Sequence, residues 1–271
     1  MGVYMKLKFW LAILIGMLSV GTTAKIALAG EVLYANFDHR LVDPVHSGDI
    51  DYLYCTWTYL SGAPHDAWSV EISPVYDHFT LLHHWDGGGV HNPLTYGWFI
   101  EDTVRQGDSN PYDYYYGVPA PWLKVQYSAN QVTTVTYTCK VSLHDHLFDI
   151  DQLPVYLKVL EATDSLTVTI WPESSGTSSL VMSSLSYLKP HKYSAPKIRD
   201  LSKYKNLALT NGRTAVINVL KKNKALVDSI DFIVLEYNEK ENAWIISGYK
   251  YSDHHSKSLI FKSMQKSIGG G

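Results

Sequence analysis

Cysteine, glycosylation acceptors and long apolar runs are the scarce features of this chain, and each shortage narrows the reading. Two Cys among 271 residues exclude a small scaffold held by several disulfides and a four-cysteine zinc module. No Asn-x-Ser/Thr triplet occurs, which favours a bacterial envelope or culture-fluid protein over a glycosylated eukaryotic one. Beyond residue 29 no stretch nears the roughly twenty apolar residues that a membrane-crossing helix needs, so no transmembrane segment is expected in the mature chain. Absent too are Gly-x-Ser-x-Gly, His-Glu-x-x-His and a glycine loop ending in Lys-Ser/Thr. Their absence removes the hydrolase nucleophile elbow, the zinc-protease helix and the phosphate loop.

What is present begins with a leader. Lys6 and Lys8 precede an apolar run from Phe9 to Val20, and Ala27-Leu28-Ala29 offers small residues at the positions a signal peptidase reads. The expectation is a signal peptide over 1–29, cleaved after Ala29, with Ala24 as the second site, and a secreted or periplasmic product. In such a compartment an even pair of cysteines predicts one disulfide, Cys55 to Cys139.

Charge then divides the mature chain. Residues 30–185 hold nineteen Asp/Glu and five Lys/Arg; residues 186–271 hold seven and fifteen. Nine of the twelve His lie in the acidic part. The polar, Ser-rich stretch from 174 marks a change of character, so an acidic β-domain over 30–187 and a basic α+β domain over 188–271 are expected. The basic part has an acidic surface close at hand, its own neighbour, and is expected to dock there; no nucleic-acid partner is expected.

Period two marks the strands. Leu53, Cys55, Trp57 and Tyr59 alternate with Tyr54, Thr56 and Thr58; Val135, Tyr137, Cys139 and Val141 alternate with Thr134, Thr136, Thr138 and Lys140. Both cysteines fall on the apolar faces, so the disulfide would staple two strands through a core. Further strands are predicted over 67–73, 78–85, 95–101, 122–127, 154–161 and 165–171, a spacing that suits a sandwich or barrel. In the basic part a helix is predicted over 213–227, starting at Asn211-Gly212, followed by strands over 230–237, 243–251 and 257–262. The fold class expected is mainly β.

Residues 50–145 carry a pattern that resembles the immunoglobulin-like sandwich: Cys55 is followed thirteen residues later by Trp68, and Cys139 is preceded two residues earlier by Tyr137. Another sandwich or a jelly roll is the alternative. The resemblance implies that loops 60–67, 86–95 and 142–153 crowd at one end of the sandwich.

Those loops hold the candidate metal ligands. His144 and His146, at i and i+2 on a strand, share a face and could grip one metal. His65, Asp86 and His91 would join them if the loops meet, and a divalent metal, Zn or Ca, is the cofactor expected. Asp49, Asp51, Asp149 and Asp151 are further oxygen ligands of the kind calcium takes. The aromatic candidates for ligand contact are Trp85, Trp98, Tyr112, Tyr114, Tyr115, Tyr116 and Trp122, since exposed Tyr and Trp make flat platforms for sugars or proteins. Together these features point to a secreted binding or adhesion protein for a glycan or protein partner. The alternatives are a metal-dependent hydrolase using the His-x-His pair and a structural envelope protein without a small-molecule site.

Overall fold

Alternating apolar side chains on a run of short strands leave the chain one economical option, which is to stack sheets over a shared core. The computed structural model describes residues 30–41, 44–75, 77–85, 90–92, 95–109, 112–113, 118–119, 121–173, 197–252 and 256–267. The leader and both cleavage sites lie outside them. The protein is mainly β. In chain order the strands are β1 (Val32–His39), β2 (Val45–His46), β3 (Ile50–Ser61), β4 (Ala67–Ser73), β5 (Phe79–His84), β6 (Val90–Asn92), β7 (Thr95–Ile100), β8 (Tyr112–Asp113), β9 (Val118–Pro119), β10 (Trp122–Tyr127), β11 (Thr133–Ile150), β12 (Leu153–Trp171), β13 (Lys197–Asp200), β14 (Phe232–Asn238), β15 (Ala243–Ser252) and β16 (Ser256–Lys266).

Two layers form. The smaller has the order β1-β3-β10-β5; the larger runs β16-β15-β14-β12-β11-β4-β7-β6, with β13 and β2 also paired to β12, and β8 pairs with β9 apart from both. The alternation read in β3 and β11 is the alternation of burial: Leu53, Cys55, Trp57 and Tyr59 face Val135, Tyr137, Cys139 and Val141 in one core cluster. Cys55 and Cys139 form the disulfide, joining the layers with Cα atoms 6.0 Å apart. Tyr137 donates its hydroxyl to the Asp77 carbonyl at 2.8 Å, tying β11 to the β4–β5 connection.

Several expectations are corrected. The strands expected at 154–161 and 165–171 are one strand, β12, and β11 continues nine residues past its predicted end. Residues 141–145 and 155–162 are buried on both faces, so the alternation that reveals a half-exposed strand is missing there. β1 was not foreseen; only Leu33 and Phe37 of its eight residues are fully buried, yet it pairs with β3 along its whole length.

The basic part begins its helix earlier than predicted. Helical turns run from Lys205 to Leu207 and continue through a wide π-type turn, Ala208–Gly212, into α1 (Arg213–Lys222). Gly212 is helical, and a Cβ there would lie 2.8 Å from Leu235 Cδ2, so the glycine serves close packing against β14 and starts nothing. The buried face of α1, Ala215, Val216, Val219 and Leu220, belongs to the same core cluster as Leu235, Trp244 and Ile246. Strands β14 to β16 extend the large sheet, because β14 lies parallel to β12 with Val155, Tyr156 and Leu157 opposite Ile233, Val234 and Leu235.

Candidate functional site

The outer face of the large sheet is not left to solvent. The sheet curls until Cα atoms of β16 come within 8 Å of those of β6 and β7, and the enclosed face holds a cavity of about 160 Å³. Phe99, His144, Tyr156 and Phe232 pack edge-on and tilted along it, with ring centroids 4.8 to 6.2 Å apart, and Tyr249 stacks on Phe232. Ser69, Glu71, Lys158, Glu236 and Ser247 give the wall its polar side.

Cross-strand register explains how these groups meet. His144 of β11 lies opposite Lys158 of β12 and diagonal to Ser69 of β4. Ser69 Oγ and His144 Nε2 share a hydrogen bond of 2.8 Å. A register shift in β12, where Leu143 pairs with Leu160 and His144 with Lys158, inserts one extra residue. In a regular strand residues three apart face opposite ways; the bulge turns Lys158 and Glu161 to the same side. Lys158 Nζ then reaches Glu161 Oε2 at 3.1 Å and Glu236 Oε2 at 3.0 Å. Glu236 also accepts from Arg199 Nη1 at 2.8 Å, and Arg199 Nη2 donates to the Tyr237 carbonyl at 2.8 Å.

Burial alone would push the Lys158 ammonium down, but Glu236, Glu161 and Glu71 outweigh it and hold the group charged far into the alkaline range. Burial would likewise raise the Glu236 carboxyl; Lys158 first and Arg199 next reverse that and hold it at about 2. The folded value lies below the ordinary 4.5, so the stability it contributes is complete above about pH 4.5 and is lost as pH falls toward 2, on the order of 3 kcal/mol in all. Acid titration of the melting temperature should show that loss, and Glu236→Gln should remove much of it. An unchanged acid limb in that variant would contradict the assignment.

Behind His144, on the inward side of the same strand, Asp145 makes a second polar knot. His65 Nδ1 donates to Asp145 Oδ1 at 2.7 Å, and Lys205 Nζ donates to Asp145 Oδ2 at 3.0 Å. His65 Nε2 lies 3.2 Å from the Tyr59 hydroxyl and 3.7 Å from Glu31 Oε1. Burial raises the Asp145 carboxyl, but the hydrogen bonds from His65 and Lys205 prevail and hold it below its ordinary value. Burial keeps Glu31 above its own. Lys205–Asp145 joins a basic residue of the second part to an acidic residue of the first; Lys158–Glu236 joins the two parts with the signs reversed.

His65 and Asp145 meet on the inward side of β11, His144 turns to its outer face, and Asp66 Oδ2 accepts the His146 backbone N–H at 2.8 Å. His144 and His146 share the outer face as their spacing predicts, against Phe99 and Tyr156. His144 is buried with Nε2 on Ser69, whereas His146 is exposed with Nε2 2.9 Å from Asp149. Among the described residues no three His, Cys, Asp or Glu gather as a metal ion would need. Asp51 is fully buried: His39, Tyr127 and the backbone amides of Arg40, Leu41 and Tyr52 all donate to it, which makes it a brace for β1 and β3. Trp98 and Trp122 are buried and Trp85 is half-buried, with the Trp98 indole donating to the Trp85 carbonyl. Asp86 and Tyr114 to Tyr116 lie outside the described residues, as do the side chains of His91 and Tyr112.

Ser69, Lys158, Glu236 and Tyr249 were not anticipated. One local signal pointed to Lys158, a charged residue inside the apolar run Val155 to Leu160. A comparison with protein-family models returned no match, and neither did a comparison with curated proteins.

Proposed function

We propose that this is an exported binding protein whose ligand is a glycan, with a terminal sugar unit entering the cavity on the outer face of the large sheet. The observation that carries the reading is the composition of that wall: rings of Phe99 and Tyr249 beside the hydroxyls of Ser69 and Ser247 and the charges of Glu71 and Lys158. A sugar presents an apolar C–H face and a rim of hydroxyls, and mixed aromatic and polar walls recognise both. Export is supported by the leader and by the Cys55–Cys139 disulfide, which suits an oxidising compartment. The order β1-β3-β10-β5 facing β12-β11-β4, with one half-cystine on the second strand of each, supports an immunoglobulin-like reading of the acidic part. The Lys205–Asp145 ion pair supports docking of the basic part on it.

Glycan-array binding of the purified mature protein tests the function. At least one glycan should bind, and Ser69→Ala/Ser247→Ala should weaken it about tenfold, the loss of two hydrogen bonds of about 0.5–1.5 kcal/mol each, in a protein that still folds but melts a few degrees lower because Ser69 also bonds His144. A folded protein that binds no glycan removes the reading. Stoichiometric Zn or Ca in the same preparation, lost in His144→Ala/His146→Ala, would replace it with the metal-dependent alternative.

A further inference from the structure

We infer that the cavity selects an anionic sugar unit, one bearing a carboxylate or a sulfate; this rests on the glycan reading above. Three lysines, Lys140, Lys158 and Lys262, line the cavity against two glutamates, Glu71 and Glu236. The imbalance survives when internal pairs are removed. Lys158 is consumed by Glu161 and Glu236, and the second oxygen of Glu236 by Arg199.

Lys140, Lys262 and Glu71 remain. Among the described residues Lys140 has one ion-pair partner, Glu161 at 4.0 Å, and Glu161 is already engaged by Lys158 at 3.1 Å. Among the described residues no carboxylate lies within 4.0 Å of the Lys262 ammonium, and no cation within 4.0 Å of the Glu71 carboxylate, although Glu71 is the cross-strand partner of Lys140. The site therefore offers two lightly engaged ammonium groups for one such carboxylate. A neutral sugar would bind beside that excess positive charge without using it. A ligand carrying one negative charge neutralises it while its hydroxyls meet Ser69 and Ser247.

The location adds a steering effect. Lys262 is exposed on β16, the strand that returns over the cavity, so its charge sits at the entrance. A cation at the mouth of a cleft raises the local concentration of an anionic ligand, and salt weakens that effect.

The experiment is a titration of the mature protein with matched neutral, uronic-acid and sulfated oligosaccharides, at low and at high salt. An anionic member should bind about tenfold or more tightly than its neutral counterpart, with the advantage shrinking as salt rises. Lys140→Met/Lys262→Met should bring the ratio of anionic to neutral affinity down to about one; Lys262→Met alone, at an exposed position, should reduce that ratio. Preference for the uronic acid or for the sulfated sugar supports the inference and identifies which anion is taken. Equal or tighter binding of neutral sugars overturns it and leaves the glycan reading standing. Binding of none overturns both.

Discussion

Lys158→Met should lower the stability of the protein by about 3 kcal/mol at neutral pH, because it takes the close partner from buried Glu161 and leaves Glu236 with Arg199 alone. For a chain of this size that is a fall in melting temperature on the order of 10 °C. Met preserves the length and apolar stem of the side chain, so the loss reports charge and not a cavity. Its pH dependence is distinctive. Without the ammonium, Glu236 loses the partner that does most to hold its carboxyl at about 2, so the deficit of the variant should be large at pH 7 and shrink as pH falls toward 2. The measurement is thermal unfolding of both proteins across that range. A difference of a degree or two at pH 7 would place this pair with exposed ion pairs, which contribute little, and would undo the account of the buried row.

Loss of the disulfide should have an effect of similar size. Cys55 and Cys139 are 84 positions apart, and closing a loop of that length restricts the unfolded chain by roughly 4–5 kcal/mol in the chain-entropy treatment, with strain and residual structure reducing it. Cys55→Ala/Cys139→Ala tested in urea should show the loss as a lower midpoint, and reduced wild-type protein separates the cross-link from the two side chains. Thiol titration of the unreduced, denatured protein should find none. Two free thiols would refute the bond outright.

How far the sequence discloses this structure depends on burial. Strands 67–73 and 122–127 were legible to the residue. Pro74 follows the first, Pro121 precedes the second, and burial in the second alternates from Leu123 to Tyr127. β11 was legible only over its half-exposed first part, since a strand covered on both faces has no period to read, whereas β12 was legible as two pieces, 154–161 and 165–171, without the join between them. The inward direction of both cysteines followed from the neighbours of each. The cavity did not follow, because its wall joins Ser69, His144, Lys158 and Glu236 from four strands spread over nearly 170 residues. No local pattern encodes register, and the bulge that turns Lys158 toward Glu161 is a property of the pairing between β11 and β12. His144 was singled out correctly for its place, while its Nε2 partner, a serine 75 positions earlier, could come only from the fold.

The parallel pairing of β12 with β14 has a consequence in time. A strand met by an antiparallel neighbour across a short turn is covered almost as soon as it is made, as β11 and β12 are. The edge at Val155 to Leu157 must instead wait for Ile233 to Leu235, close to eighty residues later. At ordinary synthesis rates that is on the order of ten seconds during which an apolar strand edge stands open. Such an edge is a template for pairing with another chain. The interval before the last strands arrive is therefore when a newborn molecule is most exposed to its own copies, and when a holding chaperone would do the most good.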